Sequence, residues 1–532
     1  MSETRTVDTD LVAAWRDRVA TAPDRPALAY FDTVLSAAEA DRLSDELAAA
    51  YAGLGVTAGD HVGLHLQNVP WFPLSMLALW KLGASAVLLN PMYRGEELAA
   101  LVVDSEAVGV VTDLAELDRT RAALGDGPDA PWVVGASSRD LQTRDDPRVF
   151  GDSPHTAPPA EDDLAALVRA QEGATVEHAS PGGDAIAMLC YTSGTTGRAK
   201  GAMNTHAGVL AVCRSYAEWT GFGPGGVCFA TAPLFHITGA VINAVVSLVH
   251  DTTLVLAHRF APAVALDAFA EHGVTTTIGS ITAFSAMLEV PDPPADAFTS
   301  MTAMYSGGAP IPPSTVERVE ARFGVYVHNA YGMTETCSGV IAVPLGERAP
   351  VDPASGTLSV GKPLPGMTLR VLGSDGEPVA AGEQGELEMS GPQVVPGYWR
   401  RPDATEEAMP GGRLRSGDVA VVDDEGWVYL VDRLKDQINV SGYKVWPREV
   451  EDALHTHPAV REAAVVGRPD DYQGESVVAY VALVGGGSAT PDELTAVVRE
   501  RLAAYKVPKE VHVVEDLPKT QTGKIRRAAL RD

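Results

Sequence analysis

The sequence predicts a mixed α/β fold: a large N-terminal region of two α/β sheet units with a β-subdomain, followed by a small C-terminal α+β domain. Three observations lead there. Apolar runs of strand length alternate with helix-length segments from His61 to Asp113 and again from Ile186 to Tyr305, the rhythm of βαβ units and a parallel sheet. Beyond Gly356 that rhythm gives way to short strand-like runs cut by Gly, Asp and Pro turns, the texture of a compact β-subdomain. With 532 residues, the chain is too long for one ordinary core, so two or more domains are expected.

Taken in order, the chain from His61 reads strand (HVGLHL), helix (WFPLSMLALWKLG), strand (ASAVLLN), helix (GEELAALVVD) and strand (AVGVVTD). The stretch from Gly151 to Gly183 is rich in Pro, Asp, Ala and Gly and reads as a surface connection between the two sheet units. Strands are expected at Ile186–Tyr191, Thr252–Ala257, Val274–Ile278 and Met301–Tyr305, with a helix over Pro262–His272. LRVLG, GELEMSG and VAVVDDEGWVYLVD supply the β-subdomain. From Leu434 a smaller unit reads helix (PREVEDALHTH), strand (REAAVVGRPD), strand (ESVVAYVALV), helix (PDELTAVVRERLAAY) and a Lys-rich tail. The domain spans are therefore 1–433 and 434–532, with no internal repeat.

Composition excludes several classes. Apolar residues make up 45% and charged residues 21% of the chain, and mean hydropathy is near zero, as in a globular protein rather than a disordered one. The longest apolar stretch, Ala240–Val249, is broken by Asn243 and Ser247 and is too short to span a bilayer. The start, MSETRTVDTD, has no apolar signal core, so a cytoplasmic protein is expected. Cys190, Cys213, Cys228 and Cys337 form no CxxC pair, which argues for buried thiols over a disulfide framework or zinc site. A net charge of −29 disfavours nucleic acid as a partner, because neutralising phosphates needs a basic surface.

The most informative run is YTSGTTGRAKG, Tyr191–Gly201. Its hydroxyls and glycines allow a sharp turn with N–H groups pointing inward, a cradle for phosphate oxygens, and Lys200 adds positive charge. The spacing is not that of a P-loop, since no Gly-Lys-Ser/Thr follows the first glycine at the required distance. A second run, NAYGMTE, Asn329–Glu335, combines an aromatic ring, a hydroxyl and a carboxylate, the groups needed to hold a nucleotide with its metal.

YTSGTTGRAKG resembles the signature of the adenylate-forming superfamily: acyl- and aryl-CoA synthetases, peptide-synthetase adenylation domains and firefly-type luciferases. PLFHITG, SGGAP, NAYGMTE, GYW, SGD, DRLKDQINVSGYKVWPREVE and PKTQTGKIRR follow in the family's order, so the resemblance covers nearly the whole chain, and the VSGYKVWPREVE wording is most similar to bacterial fatty-acyl-CoA synthetases. The resemblance implies an ATP-dependent acid–thiol ligase that forms acyl-AMP, releases pyrophosphate and passes the acyl group to coenzyme A. It places Thr192, Ser193, Gly194, Thr195, Thr196 and Gly197 around the phosphates with Lys200 beside them. Gly308, Ala309 and Pro310 join Asn329, Ala330, Tyr331, Gly332 and Met333 among the cofactor-binding residues, with Tyr331 packing on adenine, Asn329 at its edge and Thr334 on the α-phosphate. Glu335 and Thr192 would hold Mg²⁺, and Asp418 and Arg433 the ribose.

By the same resemblance His236 gates the acyl pocket and Lys524 is the catalytic lysine. Lys435 marks the hinge of a mobile C-terminal domain, and Ser441 and Gly442 belong to a segment that lines the thiol tunnel after that domain rotates. Plant aryl-CoA ligases of this superfamily often carry Lys where this chain has Asn439. The run TTIGSITAFSAML, with SGGAP, reads as an apolar acyl slot with no basic residue to pair a second carboxylate, so a monocarboxylic acid is expected. Two alternatives stand beside this reading. One is a stand-alone adenylating enzyme that loads a carrier protein in trans or an amine. The other is a silent nucleotide-binding protein, against which Lys200, Glu335, Asp418, Arg433 and Lys524 are all present.

Overall fold

The computed structural model describes residues 10–151, 159–192, 199–353, 357–441, 443–470, 473–520 and 524–531. The first βαβ region builds a six-stranded sheet. Trp132–Ala136, Ala107–Asp113, His61–His65, Ser85–Leu88 and Ile186–Thr192 lie side by side in that order and run parallel, and Lys200–Thr205 closes the edge antiparallel. Every residue of His61–His65 and Ser85–Leu88 is buried, as a parallel sheet covered on both faces requires. Helix Trp71–Lys81 is buried throughout, which explains its nearly unbroken apolar sequence. The Lys81 ammonium at its end donates to the carboxylates of Asp41 and Asp45, each at 2.7 Å, so its charge is answered inside the protein.

The second unit is a nine-stranded sheet. Its centre is the parallel set Thr253–Leu256, Val227–Phe229, Thr276–Gly279, Ala303–Gly307 and Val327–Met333, and Ser338–Ala342 and Lys362–Pro363 add on antiparallel. The far edge comes from the start of the chain. Pro26–Tyr30 pairs parallel with Thr253–Leu256, and Thr33–Ser36 follows it antiparallel. The chain thus opens in this sheet, leaves to form the six-stranded one, and returns. This hairpin and helices Leu11–Thr21 and Ala37–Gly53 precede His61, where the expected elements begin.

One expectation is corrected. The stretch 151–183 does not connect the two sheet units: it lies between Trp132–Ala136 and Ile186–Thr192, both in the six-stranded sheet, and it carries helix Leu164–Arg169, which buries Leu164, Ala165 and Val168 and is capped by the Asp163 carboxylate at 3.1 Å from the Ala165 N–H. A helix of six residues is too short to show a helical period against a Pro- and Asp-rich background. The apolar stretch around 240–249 is a buried helical segment, Thr238–Val249. Among the described residues no helix is long and apolar enough to cross a membrane.

The remaining strands form two smaller sheets. Thr368–Leu372, Gln384–Ser390, Leu414–Val422 and Val428–Arg433 make a four-stranded antiparallel sheet. Tyr443–Val445, Ile438–Val440, Gly474–Leu483 and Val460–Asp470 form the last one, with Glu510–Val514 parallel to Gly474–Leu483. That sheet and helices Pro447–His455 and Pro491–Arg501 enclose a separate apolar core running from Ile438 to Val498. Two devices tie it to the four-stranded sheet. Trp446 packs on Val419 and Val431, and the Arg527 guanidinium donates to both oxygens of Glu451 at 3.0 and 2.6 Å while reaching Asp432 at 3.2 Å and Asp436 at 3.4 Å.

The two large sheets are stapled by Asn68, which follows strand His61–His65. Its amide donates to the carbonyls of Ala230 and Ala232 at 2.9 and 3.1 Å, and its oxygen accepts from the Leu234 N–H at 2.8 Å. Asn68→Ala would leave all three buried groups without a partner, at about 1–3 kcal/mol for each one stranded. The expected outcome is a clear fall in the thermal midpoint, with a loss of stability of at least about 3 kcal/mol in denaturant titration; a midpoint equal to that of the parent chain would exclude the staple.

Candidate active site

Where parallel strands end at their carboxyl side, loops diverge and leave a crevice. Three such ends converge here: Ile186–Thr192, Ala303–Gly307 and Val327–Met333. Ser193, Gly194, Thr195, Thr196 and Gly197 lie outside the described residues. The two sides of that loop are fixed, because Thr192 and Lys200 face each other across the antiparallel pair. The Lys200 Nζ sits 5.2 Å from the centre of the Tyr398 ring. The Tyr398 hydroxyl in turn donates to Glu335 Oε1 at 2.7 Å.

Glu335 is buried in the single turn Thr334–Thr336 that follows strand Val327–Met333. The chain reverses there through left-handed backbone at Cys337 and Ser338. A side chain at Gly332 would put its Cβ 1.8 Å from the Ser338 carbonyl oxygen, so only glycine permits the close return. Thr334 meets the buried Cys190 thiol, whose pKa burial pushes up to about 12, with the Glu335 charge adding to the rise. All four cysteines are buried and free.

Tyr331, from the same strand, donates its hydroxyl to Asp418 Oδ2 at 2.6 Å, and the Arg433 Nε lies 3.3 Å from Asp418 Oδ1. Asp418 and Arg433 are register partners in hairpin Leu414–Arg433. Burial pushes the Asp418 carboxyl above its ordinary range, against the opposing charge of Arg433 and the hydrogen bond from Tyr331. Ion pairing between the two residues and a role toward a ligand are compatible, because Arg433 is half exposed while Asp418 is not.

Lys524 enters from the tail. A Cβ placed on Gly308 would lie 3.5 Å from its Cε and 3.8 Å from its Nζ, so the lysine passes directly over the glycine turn Gly307–Pro310. Burial lowers the Lys524 pKa and the positive charge of Arg433 lowers it further, while Asp418 and Glu335 act in the opposite sense. The Lys524 N–H donates to Thr520 Oγ1 at 3.0 Å, and the Thr520 N–H donates to the Lys524 carbonyl at 2.6 Å. His236 is also within this field: burial, and then Lys524, press its pKa down to about 3. Its Nδ1 accepts from the Thr238 N–H at 3.3 Å, which fixes a neutral tautomer with the proton on Nε2.

The structure thus brings Thr192, Lys200, His236, Gly308, Tyr331, Thr334, Glu335, Asp418, Arg433 and Lys524 to one region. Asn329 is buried, its amide donating to the Ser359 carbonyl at 3.1 Å, and Ala330 is buried beside it. Ala309 and Pro310 line the turn after Gly307, and Met333 ends its strand. Lys435 belongs to the turn Leu434–Asp436, and Ser441, with left-handed backbone, sits at the tip of hairpin Ile438–Val445. Gly442 lies outside the described residues. In the wall read as an acyl slot, Phe284 and Met287 point into the core, leaving Thr282, Ser285 and Ala286 half-buried. Sequence reasoning quoted GYW as a motif and gave Tyr398 no role; its partners Lys200 and Glu335 are far away in sequence.

Residues 15–399 match the family described as AMP-binding enzyme, and residues 449–524 match AMP-binding enzyme C-terminal domain. The chain is 34% identical over 514 residues to a feruloyl-CoA synthase of Amycolatopsis sp, covering 97% of each. It is 33% identical over 549 residues to a long-chain-fatty-acid–CoA ligase of Escherichia coli O6:H1, covering 98% of this chain and 94% of the relative. Among solved structures, ATP-bound MatB from Rhodopseudomonas palustris superposes with a TM-score of 0.86 at 27% identity, covering 99% and 98% of the two chains.

The His236 environment has a consequence for stability. Its pKa falls from an ordinary 6.5 to about 3 on folding, so between those values the unfolded chain binds a proton that the folded one refuses. Its contribution is intact above 6.5 and is lost as pH falls toward 3. His65, His206, His258 and His455, each pressed down to about 4 by burial, act in the same direction. The His236→Gln variant is expected to lose less stability than the parent on acidification through this window, as read by urea unfolding at stepped pH; parallel curves would exclude the assignment.

Proposed function

This chain belongs to the AMP-binding enzyme family, and from that premise we propose how its residues divide the work of joining a carboxylic acid to a thiol. The reaction is an ATP-dependent acid–thiol ligation through acyl-AMP. In the first step a carboxylate oxygen attacks the α-phosphorus of ATP, the bond to the bridging oxygen breaks, and pyrophosphate leaves. In the second a thiol sulfur attacks the acyl carbon, the thioester forms, and AMP leaves.

The observation that carries the assignment is the convergence of Lys524 on Asp418, Arg433, Glu335 and Gly308. A compact ammonium held in a water-poor crevice can answer the negative charge that builds between the incoming carboxylate and the α-phosphate. Asp418 suits the ribose hydroxyls, with Arg433 holding it in place. Tyr331 and the backbone of Asn329, Ala330, Gly332 and Met333 face Gly308, Ala309 and Pro310 and suit the adenine. The loop from Thr192 through Ser193, Gly194, Thr195, Thr196 and Gly197, with Lys200, suits the polyphosphate, and Thr334 the α-phosphate. His236, held neutral, borders the acyl group without adding charge.

Among the described residues no cluster of three or more His, Cys, Asp and Glu could cage a metal ion. A single buried carboxylate, Glu335, fits Mg²⁺, a hard ion commonly held by one or two carboxylates together with substrate phosphates. Glu335 and Thr192 would hold it, and when bound it supplies charge neutralisation for the departing pyrophosphate.

The division into 1–433 and 434–532 is assigned on the separate C-terminal core, with Lys435 as the hinge and the segment at Ser441 and Gly442 meeting coenzyme A after rotation. The substrate assignment is an apolar monocarboxylic acid, fatty or aromatic, handled in the cytoplasm. It is supported by the basic-free wall at 276–288 and by relatives named for feruloyl and long-chain fatty acyl groups.

The test is incubation with ATP, Mg²⁺ and a panel of aliphatic, aromatic and dicarboxylic acids, with and without coenzyme A, following pyrophosphate, acyl-AMP and thioester by mass spectrometry. Thioester with one class of monocarboxylic acid is expected; acyl-AMP that accumulates without thioester would move the acceptor to a carrier protein or amine. Lys524→Ala is expected to slow pyrophosphate release by about 10²–10³-fold while leaving thioester formation from supplied acyl-AMP nearly unchanged. Equal loss in both half-reactions would overturn the role given to Lys524.

A further inference from the structure

The segment 395–399 makes unusual connections for a loop. It is laid along the edge of the six-stranded sheet: the Met203 N–H donates to the Gly397 carbonyl at 3.1 Å, and the Trp399 N–H donates to the Gly201 carbonyl at 2.8 Å. Its far end is pinned where Arg401 pairs with Asp104, whose second oxygen accepts from the Tyr191 hydroxyl at 2.9 Å. On its other side the same segment grips the nine-stranded sheet twice at one residue. The Val395 N–H donates to the Glu335 carbonyl at 2.9 Å, and the Tyr398 hydroxyl donates to the Glu335 carboxylate at 2.7 Å.

Tyr398 therefore stands between two charged groups that arrive from different sheets. Lys200 lies over its ring at 5.2 Å, a distance at which the ring quadrupole attracts a cation. Glu335 is held at its hydroxyl, and both the tyrosine and the carboxylate are buried, at 7% and 6% exposure. The bond from Tyr398 occupies one carboxylate oxygen and so fixes the direction of the other. A rigid phenol whose backbone is stitched to Ala202 is better suited to set that direction than the single turn on which Glu335 rides.

We propose that Tyr398 is a positioning residue of the polyphosphate site, orienting the Glu335 carboxylate for the divalent cation and holding Lys200 beside the nucleotide. This deepens the assignment of Glu335 as metal ligand and rests on it. Partners that orient a metal ligand commonly matter about 10–100-fold in metal affinity.

The experiment measures Mn²⁺ binding to the full-length protein with ATP and no acid, by electron paramagnetic resonance, and ATP binding without metal, by calorimetry. Tyr398→Phe keeps the ring and removes the hydroxyl. It is expected to weaken Mn²⁺ binding by about tenfold with metal-free ATP affinity unchanged, and to have no further effect in the Glu335→Gln background. Unchanged Mn²⁺ binding in Tyr398→Phe beside weakened binding in Glu335→Gln overturns the positioning role alone, as does an equal loss from Tyr398→Phe in both backgrounds. Unchanged binding in Glu335→Gln itself removes Glu335 from the metal site and the proposal with it. Tyr398→Leu, which also deletes the ring, is expected to weaken metal-free ATP binding; parent-like affinity there overturns the part of the proposal that concerns Lys200.

Discussion

A carboxylate taken out of water must have its charge answered, and at Asp418 the answer comes from three separate parts of the chain. The residue is 7% exposed. Tyr331 reaches it from the last parallel strand of the nine-stranded sheet, Arg433 from the neighbouring strand of its own hairpin, and the field of Lys524 from the tail. Remove any one of these and the remaining groups hold a buried charge less well, the circumstance in which breaking a pair is most costly. The requirement thus links the order of the site to the docking of the last hundred residues.

That docking rests on a similar arrangement behind the site. Arg527 is half-buried among Asp432, Asp436 and Glu451, and these carboxylates belong to the four-stranded sheet, the turn after it and the helix of the C-terminal unit. Buried ionic clusters stabilise less than apolar packing of equal volume, but they specify geometry, since a displaced arginine leaves several anions unpaired. The apolar contribution at this junction is the small patch of Trp446 on Val419 and Val431.

The parts of the fold that could be read from the sequence were those whose pattern is local. Strands such as His61–His65 and the largely apolar helix after it announce themselves by length and composition. The hairpin Pro26–Ser36 does not, because its role is fixed by pairing with Thr253–Leu256 more than two hundred residues later. Its only local sign was the capping box at Ser36 and Glu39, which starts the helix that follows. The helix Leu164–Arg169 was hidden for the opposite reason, being too short for its period to stand out. In the site, resemblance named the residues but not their partners. It placed Asn329 at a base edge without showing that one N–H of its amide donates to the Ser359 carbonyl, and it included GYW without showing that its tyrosine joins Lys200 to Glu335.

The overall charge of −29 sharpens the question of how such a protein admits a polyanion. The long-range field repels a triphosphate, though salt screens it within about 10 Å. Attraction therefore has to be local, and the positive groups at the crevice, Lys200, Arg433 and Lys524, are each set against a specific partner rather than massed in a patch: a ring face for Lys200, Asp418 for Arg433, and the glycine turn beneath Lys524. Arg433 and Lys524 are close enough that Arg433 lowers the Lys524 pKa, and Asp418 and Glu335 offset that repulsion in the empty crevice. The cations gain most when an anion with several charged oxygens bridges them, so the same acidic surface that discourages indiscriminate anion binding leaves selectivity to a ligand whose phosphates match the spacing of these groups.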